Sequence, residues 1–367
     1  MDVNVVLAEW SNLLIYSAMA VYAVAFIVYA FDLFGPAFTS DLSDGRETTE
    51  AGEAGSRRTR TRTVVAAGAS SGGATTATLD GEVADGASAT DGGDPSGSNK
   101  DSAGDNGDDD TTSTRPRDLR RWARVGTALT VLAGALHVAS IVTRTLSVMR
   151  VPWSNMMEYA LIASAMVVVG YLIFLAYRDV RYLGTFVTLT VLLVLGLCIT
   201  VFYTPVAQVI PALDNYWIWI HVPIAILSTV ILYLSAIIAL VQLLRSRSES
   251  KPFTGLLRFV NRLPASKDLE KVSYRLAAVG FITWTFTLVA GAFWAEIAWG
   301  RYWGWDAKEI WTFVVWVVYA AYLHARATRG WTANRVAILN LVGIATVVFN
   351  FTVVNLYFNG LHAYSGV

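Results

Sequence analysis

This chain is poor in cysteine, in histidine and in charge, and each shortage removes a class of function. It holds one cysteine, Cys198, set inside an apolar run. A single thiol excludes an internal disulfide, a CxxC thiol oxidoreductase and a CxxCH haem-attachment site within the chain itself. Cys198 reads instead as a small buried apolar residue. Charged residues make up 15% of the sequence, well below the roughly 25% of a soluble domain. With 54% hydrophobic residues, that excludes an ordinary soluble protein. The formal net charge of zero conceals a segregated distribution, and no nucleic-acid partner is expected. Ahead of the first apolar run there is no basic start and no clear small-residue cleavage site, so no cleavable signal peptide is expected. Neither a nucleophile–base pair nor a phosphate-binding loop is evident.

What the chain has in abundance is apolar length. A membrane span needs about 20 predominantly apolar residues. Candidates run near 10–34, 124–145, 157–177, 183–203, 218–244, 274–296, 309–327 and 335–358. The expected fold class is therefore an all-α polytopic membrane protein with about eight transmembrane helices. Residues 35–118 differ in kind: they are rich in Gly, Ser, Thr, Ala and Asp, end near Asp108-Asp109-Asp110, and carry few large apolar residues beyond Phe38. Such a segment buries too little surface to offset its ordering entropy. The expected plan is a first span over 1–34, a disordered acidic linker over 35–118, and a transmembrane core over 119–367.

Lys and Arg in the short loops set the orientation. Arg117, Arg120, Arg121 and Arg124 precede the second span, and Arg178 and Arg181 separate the third from the fourth. Arg245, Arg247, Lys251, Arg258, Arg262, Lys267 and Lys271 follow the fifth, and Arg326, Arg329 and Arg335 lie between the seventh and eighth. With eight spans, all four clusters and the linker fall on the cytoplasmic side. Both termini then lie outside, with Arg144, Arg150 and Arg301 as the exceptions on that face.

Tryptophan is concentrated in one place. Trp294-Ala-Glu-Ile-Ala-Trp299-Gly-Arg-Tyr-Trp303-Gly-Trp305-Asp306 carries four tryptophans and a tyrosine between two apolar runs. Indole favours the membrane–water boundary, so an aromatic belt is the plain reading of a boundary pair. Four within thirteen residues, with glycines that let the backbone lie close, suggest a platform for a large flat ligand.

The four histidines fall on or beside different spans. His221 opens the fifth span and His362 follows the eighth, both at the level of the tryptophan stretch. His137 lies about 13 residues into the second span and His324 a similar distance into the seventh, within ~10 Å of one another in depth at 1.5 Å per residue. A histidine inside a span either bonds a neighbouring helix or serves function, and one at the boundary can simply be solvated. Two outer imidazoles facing each other across a plate walled by aromatics would make a bis-histidine haem site. Zinc would want three or four convergent ligands and is less suited.

These residues resemble a known family. Trp294 through Trp299-Gly-x-Tyr-Trp303-Gly-Trp305-Asp306-x-Lys308-Glu309 is similar to the tryptophan-rich WWD signature of the haem-handling superfamily that serves cytochrome c maturation. Within it the chain resembles the system II cytochrome c synthase subunits of the CcsA or ResC type, called CcsB in some bacteria. Pro152-Trp-Ser154-Asn155-Met-Met157-Glu158, Trp219-Ile-His221-Val, Tyr322-Leu-His324-Ala-Arg326 and Gly360-Leu361-His362-Ala363-Tyr364 are similar to further family motifs. Ala307, Met157 and Ala363 depart from the usual proline, tyrosine and serine, and none is a proposed ligand.

The resemblance implies the haem-handling subunit of a thioether-forming holocytochrome c synthase in the bacterial cytoplasmic membrane. Its cargo would be haem b. Its partners would be a CcsB/ResB-type membrane subunit, an apocytochrome c bearing CxxCH and a thioredoxin-like apocytochrome reductant, all in a lipid membrane. Within that scheme His221 and His362 would ligate an outer haem iron against Trp294, Trp299, Trp303 and Trp305. His324, with His137 or a partner residue, would ligate an inner one. Arg301 could pair with a haem propionate, or be a snorkelled boundary charge. Asp306, Lys308 and Glu309 open the seventh helix, where acids suit the helix dipole; Asp306 also belongs to the expected haem-binding set. Two rival readings are a dihaem electron carrier, which would stack two histidines on one helix, and a solute carrier with an aromatic cage.

Overall fold

Inside a bilayer the backbone finds no water to bond, so an apolar stretch that crosses it must satisfy its own N–H and C=O groups as a helix. The computed structural model of the chain describes residues 3–57, 116–208 and 214–362, and among these there is no strand. Eight helices are long and apolar enough to span a membrane. They are α1 (Val5–Arg57), α2 (Pro116–Val148), α3 (Met156–Tyr177), α4 (Gly184–Thr200), α5 (His221–Ser250), α6 (Ser266–Trp299), α7 (Ala307–Ala327) and α8 (Ala333–Phe351). A short α9 (Val353–Tyr357) follows.

The chain falls into two units, residues 1–45 with 116–367, and residues 46–115. The first holds the bundle. The first span covers Val5–Phe34, yet α1 continues in helical conformation to Arg57, past the boundary at 34 drawn from apolarity. The rest of the expected linker, 58–115, lies outside the described residues.

Local signals fix where the helices begin. Asn155 accepts from the Glu158 N–H at 2.9 Å and starts α3, and Thr332 caps α8 in the same manner. Helix α1 runs antiparallel beside α2. Asn4 N–H donates to Ser147 O at one end, Ser11 Oγ to Ser140 O further along, and Tyr29 Oη bonds Thr127 Oγ1 towards the other end.

Helix α5 is central, packing most extensively on α6 and also on α3 and α8. It divides two apolar clusters. One is built on α1–α5 around residues such as Leu161, Val191 and Ile226; the other, on α5–α8, includes Leu232, Trp284, Val315 and Tyr319. Lipid solvates apolar side chains as well as another helix does, so polar contacts help specify the packing. Asn340 Nδ2 on α8 donates to Ser235 Oγ on α5 at 2.7 Å and Ser273 Oγ on α6 at 3.0 Å, all three residues buried. Each such bond contributes about 0.6–2 kcal/mol. This clamp holds three helices in register beneath the tryptophan end.

Candidate functional site

Three backbone features shape the tryptophan end. Helix α6 stops at Gly300, whose φ of 68° is the left-handed conformation that glycine adopts at helix ends at no steric cost. Trp305 takes a similar φ of 60°, which costs a residue bearing a Cβ about 1 kcal/mol or more. Helix α7 then begins in a reciprocal capping box between Asp306 and Glu309. Glu309, buried at the cavity edge, accepts from the N–H groups of Gly304 and Asp306 at 2.7 and 3.1 Å and from Arg301 Nη1 at 3.1 Å. Its charge is fully met.

His221 and His362, remote in sequence, line one cavity of about 230 Å³ at this end. Trp294, Trp299 and Trp303 line it with them. Each imidazole meets a tryptophan nearly edge-on: His221 and Trp294 at 5.5 Å between ring centroids, His362 and Trp299 at 4.7 Å. The indoles therefore orient the imidazoles as well as walling the space. His221 fits because residue 291 is glycine; a Cβ there would stand 2.9 Å from the His221 Cε1.

His362 Nδ1 lies 3.1 Å from Asp306 Oδ1, while Asp306 Oδ2 accepts the Leu361 N–H at 2.8 Å. A carboxylate on one ring nitrogen fixes the orientation of an imidazole and makes the other a better ligand. Burial lowers the His362 pKa below the usual histidine value, against the opposing pull of the Asp306 charge and hydrogen bond. Burial alone would raise Asp306, but the Lys308 N–H, the His362 charge and the Leu361 N–H outweigh it and hold the carboxyl below its usual range. At neutral pH the pair is thus a neutral imidazole on a carboxylate.

Several polar atoms of the cavity wall are buried without a hydrogen-bond partner: His221 Nδ1 and the Nε1 of Trp294 and Trp303. An unmatched buried donor costs about 1–3 kcal/mol. A flat apolar ligand carrying a Lewis-acidic centre and a few peripheral acceptors would meet all three. Haem has that chemistry, and the donor set fits it.

Not every expected residue reaches the cavity. Trp305 is 72% exposed and only touches Trp303 edge-on at 5.9 Å. Arg301 is held by Glu309 rather than pointing into the cavity. Asp306 stands behind His362 instead of on the wall.

His137 and His324 are not brought together in any comparable way. His137 is fully buried, with Nε2 3.0 Å from Leu161 O on α3 and its ring edge-on to Tyr22 of α1 at 6.1 Å. His324 is exposed on α7, which packs on α6, α8 and α9, whereas α2 packs on α3 and α4.

The structure also supplies residues that were not expected as wall. Trp153 and Tyr159 from the α3 start, and Asn350 and Asn355 from α8 and α9, line the cavity, as does Lys308. The Pro152–Glu158 stretch contains Trp153, and Tyr159 follows it directly. Arg144 and Arg150, which broke the charge pattern of their face, converge on Glu158, itself fully buried: Arg144 Nε at 3.3 Å and Arg150 Nη1 at 2.9 Å. Ser154 donates to the same carboxylate twice, at 3.0 Å each. That knot fixes the loop which presents Trp153 to the cavity.

Known proteins resemble this chain over part of its length. The chain is 36% identical over 177 residues to the cytochrome c biogenesis protein CcsA of Parasynechococcus marenigrum, covering 43% of this chain and 58% of that one. It is 36% identical over 171 residues to the protein of that name from Guillardia theta, covering 43% and 57%. For that of Chlamydomonas reinhardtii the identity is 35% over 158 residues, covering 43% of each chain. The chain thus spans roughly half the length of these relatives. Among solved structures, the cytochrome c haem lyase CcmF superposes with a TM-score of 0.48 at 16% identity, over 67% of this chain and 43% of that one. The profile of the cytochrome c assembly proteins matches residues 153–362, more than half of the sequence, with both cavity histidines and the tryptophan stretch inside the match. This chain is a multi-span membrane protein of the cytochrome c assembly family.

Proposed function

We propose that the chain presents haem to apocytochrome c, as the haem-handling subunit of a system II synthase. The observation that carries this reading is the convergence of His221 and His362 on one cavity walled by Trp294, Trp299 and Trp303. His221 and His362 would ligate the iron, and Trp294, Trp299 and Trp303 would wall the macrocycle. Haem b is the cargo. The tryptophan end lies outside the cytoplasm, in keeping with the Lys and Arg loops at the opposite end. His324, exposed on α7, serves an inner haem position with a ligand from a CcsB/ResB-type partner subunit; His137, buried and bonded to Leu161 O, is the weaker candidate for that role.

The chemistry asked of this chain is positioning. In the attachment step each cysteine thiol of CxxCH adds across a haem vinyl group, the S–C bond forming at one vinyl carbon and the proton ending on the other. No oxidant or reductant is consumed. Holding the vinyl edge against the incoming thiols converts a second-order encounter into a local one. A neutral His362 oriented by Asp306 would be well suited to hold the iron while a client is engaged. A dihaem carrier with paired histidines on one helix gains nothing from this arrangement, since the four histidines fall on α2, α5, α7 and beyond α9.

The test is co-production of the chain with its partner subunit and a CxxCH reporter in cells lacking their own cytochrome c assembly. The expected result is a haem-stained reporter and a Soret band in the purified chain. A reporter that stays haem-free and a colourless chain would refute the reading.

A further inference from the structure

Among the residues lining the cavity there is one lysine or arginine, Lys308. It is the second residue of α7 and reaches across to the last turns of the bundle, where Nζ donates to Asn350 O and Asn355 Oδ1, both at 2.9 Å. Both acceptors are neutral. An ammonium has three donors, so one remains after these two bonds.

The carboxylates nearby are committed elsewhere. Glu309 is met by Arg301 and two backbone N–H groups, and Asp306 by His362, Leu361 and its own helix cap. Among the described residues, no carboxylate is in ion-pair contact with Lys308. Asp306 acts on this ammonium only through space, with no ion-pair contact. A cation at the wall of a largely apolar cavity is therefore poorly compensated, and a ligand that brings an anion into contact offsets that cost. The unpartnered Nε1 donors of Trp294 and Trp303 lie on the same wall set. Arg301, the cation that sequence favours for this task, is already spent on Glu309.

We propose that Lys308 binds a carboxylate of the ligand, so that the propionate edge of haem enters facing α7 and α8 and the vinyl edge is left towards the opposite wall. This rests on the haem reading above. It adds an orientation: the edge that must react with thiols is the one not tethered to Lys308.

The experiment compares haem with haem dimethyl ester, in which both propionates are esterified. Binding of each is followed by Soret titration of the purified full chain in one detergent, for wild type, Lys308→Met and Lys308→Arg. The quantity read is the affinity ratio of haem to ester. Comparing that ratio between variants cancels the greater detergent solubility of the ester. Wild type should prefer haem by roughly 10- to 100-fold, the range of a charge-assisted hydrogen bond. Lys308→Met should bring the ratio close to that of ligands without a charge preference, and Lys308→Arg should restore most of it. If Lys308 merely ties α7 to α8, Met should weaken both ligands alike and leave the ratio unchanged, which would overturn the proposal. A wild-type ratio no higher than that of Lys308→Met would overturn it too, while haem binding stood. A wild-type chain that bound neither ligand would instead bring down the haem reading itself, and this assignment with it.

Discussion

His221 and His362 come from distant parts of the chain and share one cavity, whereas His137 and His324, placed at matching depth by apolar length, end in unlike surroundings. One of the second pair is sealed among α1, α2 and α3; the other is exposed on α7. The difference teaches what a membrane sequence encodes on its face. Counting residues along a span gives depth, because each adds 1.5 Å. It says nothing about which way around the helix a side chain points, nor which helices become neighbours. At the tryptophan end the chain itself turns, and glycine, aspartate and a capping box dictate the directions locally.

The contrast can be broken or sharpened in steps. The largest effect should follow Glu158→Gln, which strips the anion from a buried cluster holding Arg144 and Arg150. Leaving a buried guanidinium uncompensated costs about 3–5 kcal/mol, so the detergent-solubilised chain should unfold at a clearly lower temperature. An unchanged melting temperature would mean that the loop presenting Trp153 is not fixed in this way. Next comes Asp306→Asn, which keeps the shape but removes the charge behind His362. Haem affinity at the outer site should fall roughly 10- to 100-fold, with a shift of the haem reduction potential to higher values. A haem spectrum and affinity like wild type would relieve Asp306 of its role.

Smaller again is His137→Ala, which removes the bond to Leu161 O and should cost about 1–3 kcal/mol of stability. If the two histidine pairs differ as described, this variant retains its outer-site haem. Loss of that haem in His137→Ala, measured by Soret absorbance, would erase the distinction. The mildest test is pH. The folded His362 pKa is depressed, so protonation disfavours the fold. Its stabilising contribution is complete above the ordinary value of about 6.5 and is lost as pH falls below it towards the folded value. Thermal midpoints of the haem-free chain should drop between pH 7.5 and 5.5 by about the few degrees such a shift allows, and His362→Gln should flatten that drop.

Most of the frame was legible in the sequence. All eight spans follow from apolar runs, although α1 extends its helix to Arg57 beyond the apolar stretch. The outer histidines and three of the four tryptophans met as their shared level suggested. Trp305 did not, because its positive φ turns it outward, and a positive φ on a tryptophan leaves no mark in composition. Arg144 and Arg150 look misplaced in the sequence, while Glu158 pairs with both in the fold; an apolar count registers charge but not pairing. Lys308 passed for a residue of the helix start. Only the return of α8 and α9 brings Asn350 and Asn355 to its ammonium, and that contact spans more than forty residues.

The central claim is that two imidazoles hold one haem iron at the tryptophan end. Its most direct test is the haem content and spectrum of the purified chain carrying His221→Gly or His362→Gly, each with and without added imidazole. The account predicts that either change empties most of the site and that imidazole, filling the space of the lost ring, restores the six-coordinate spectrum and reporter assembly. Full haem content with an unaltered spectrum in both variants, without imidazole, would contradict it.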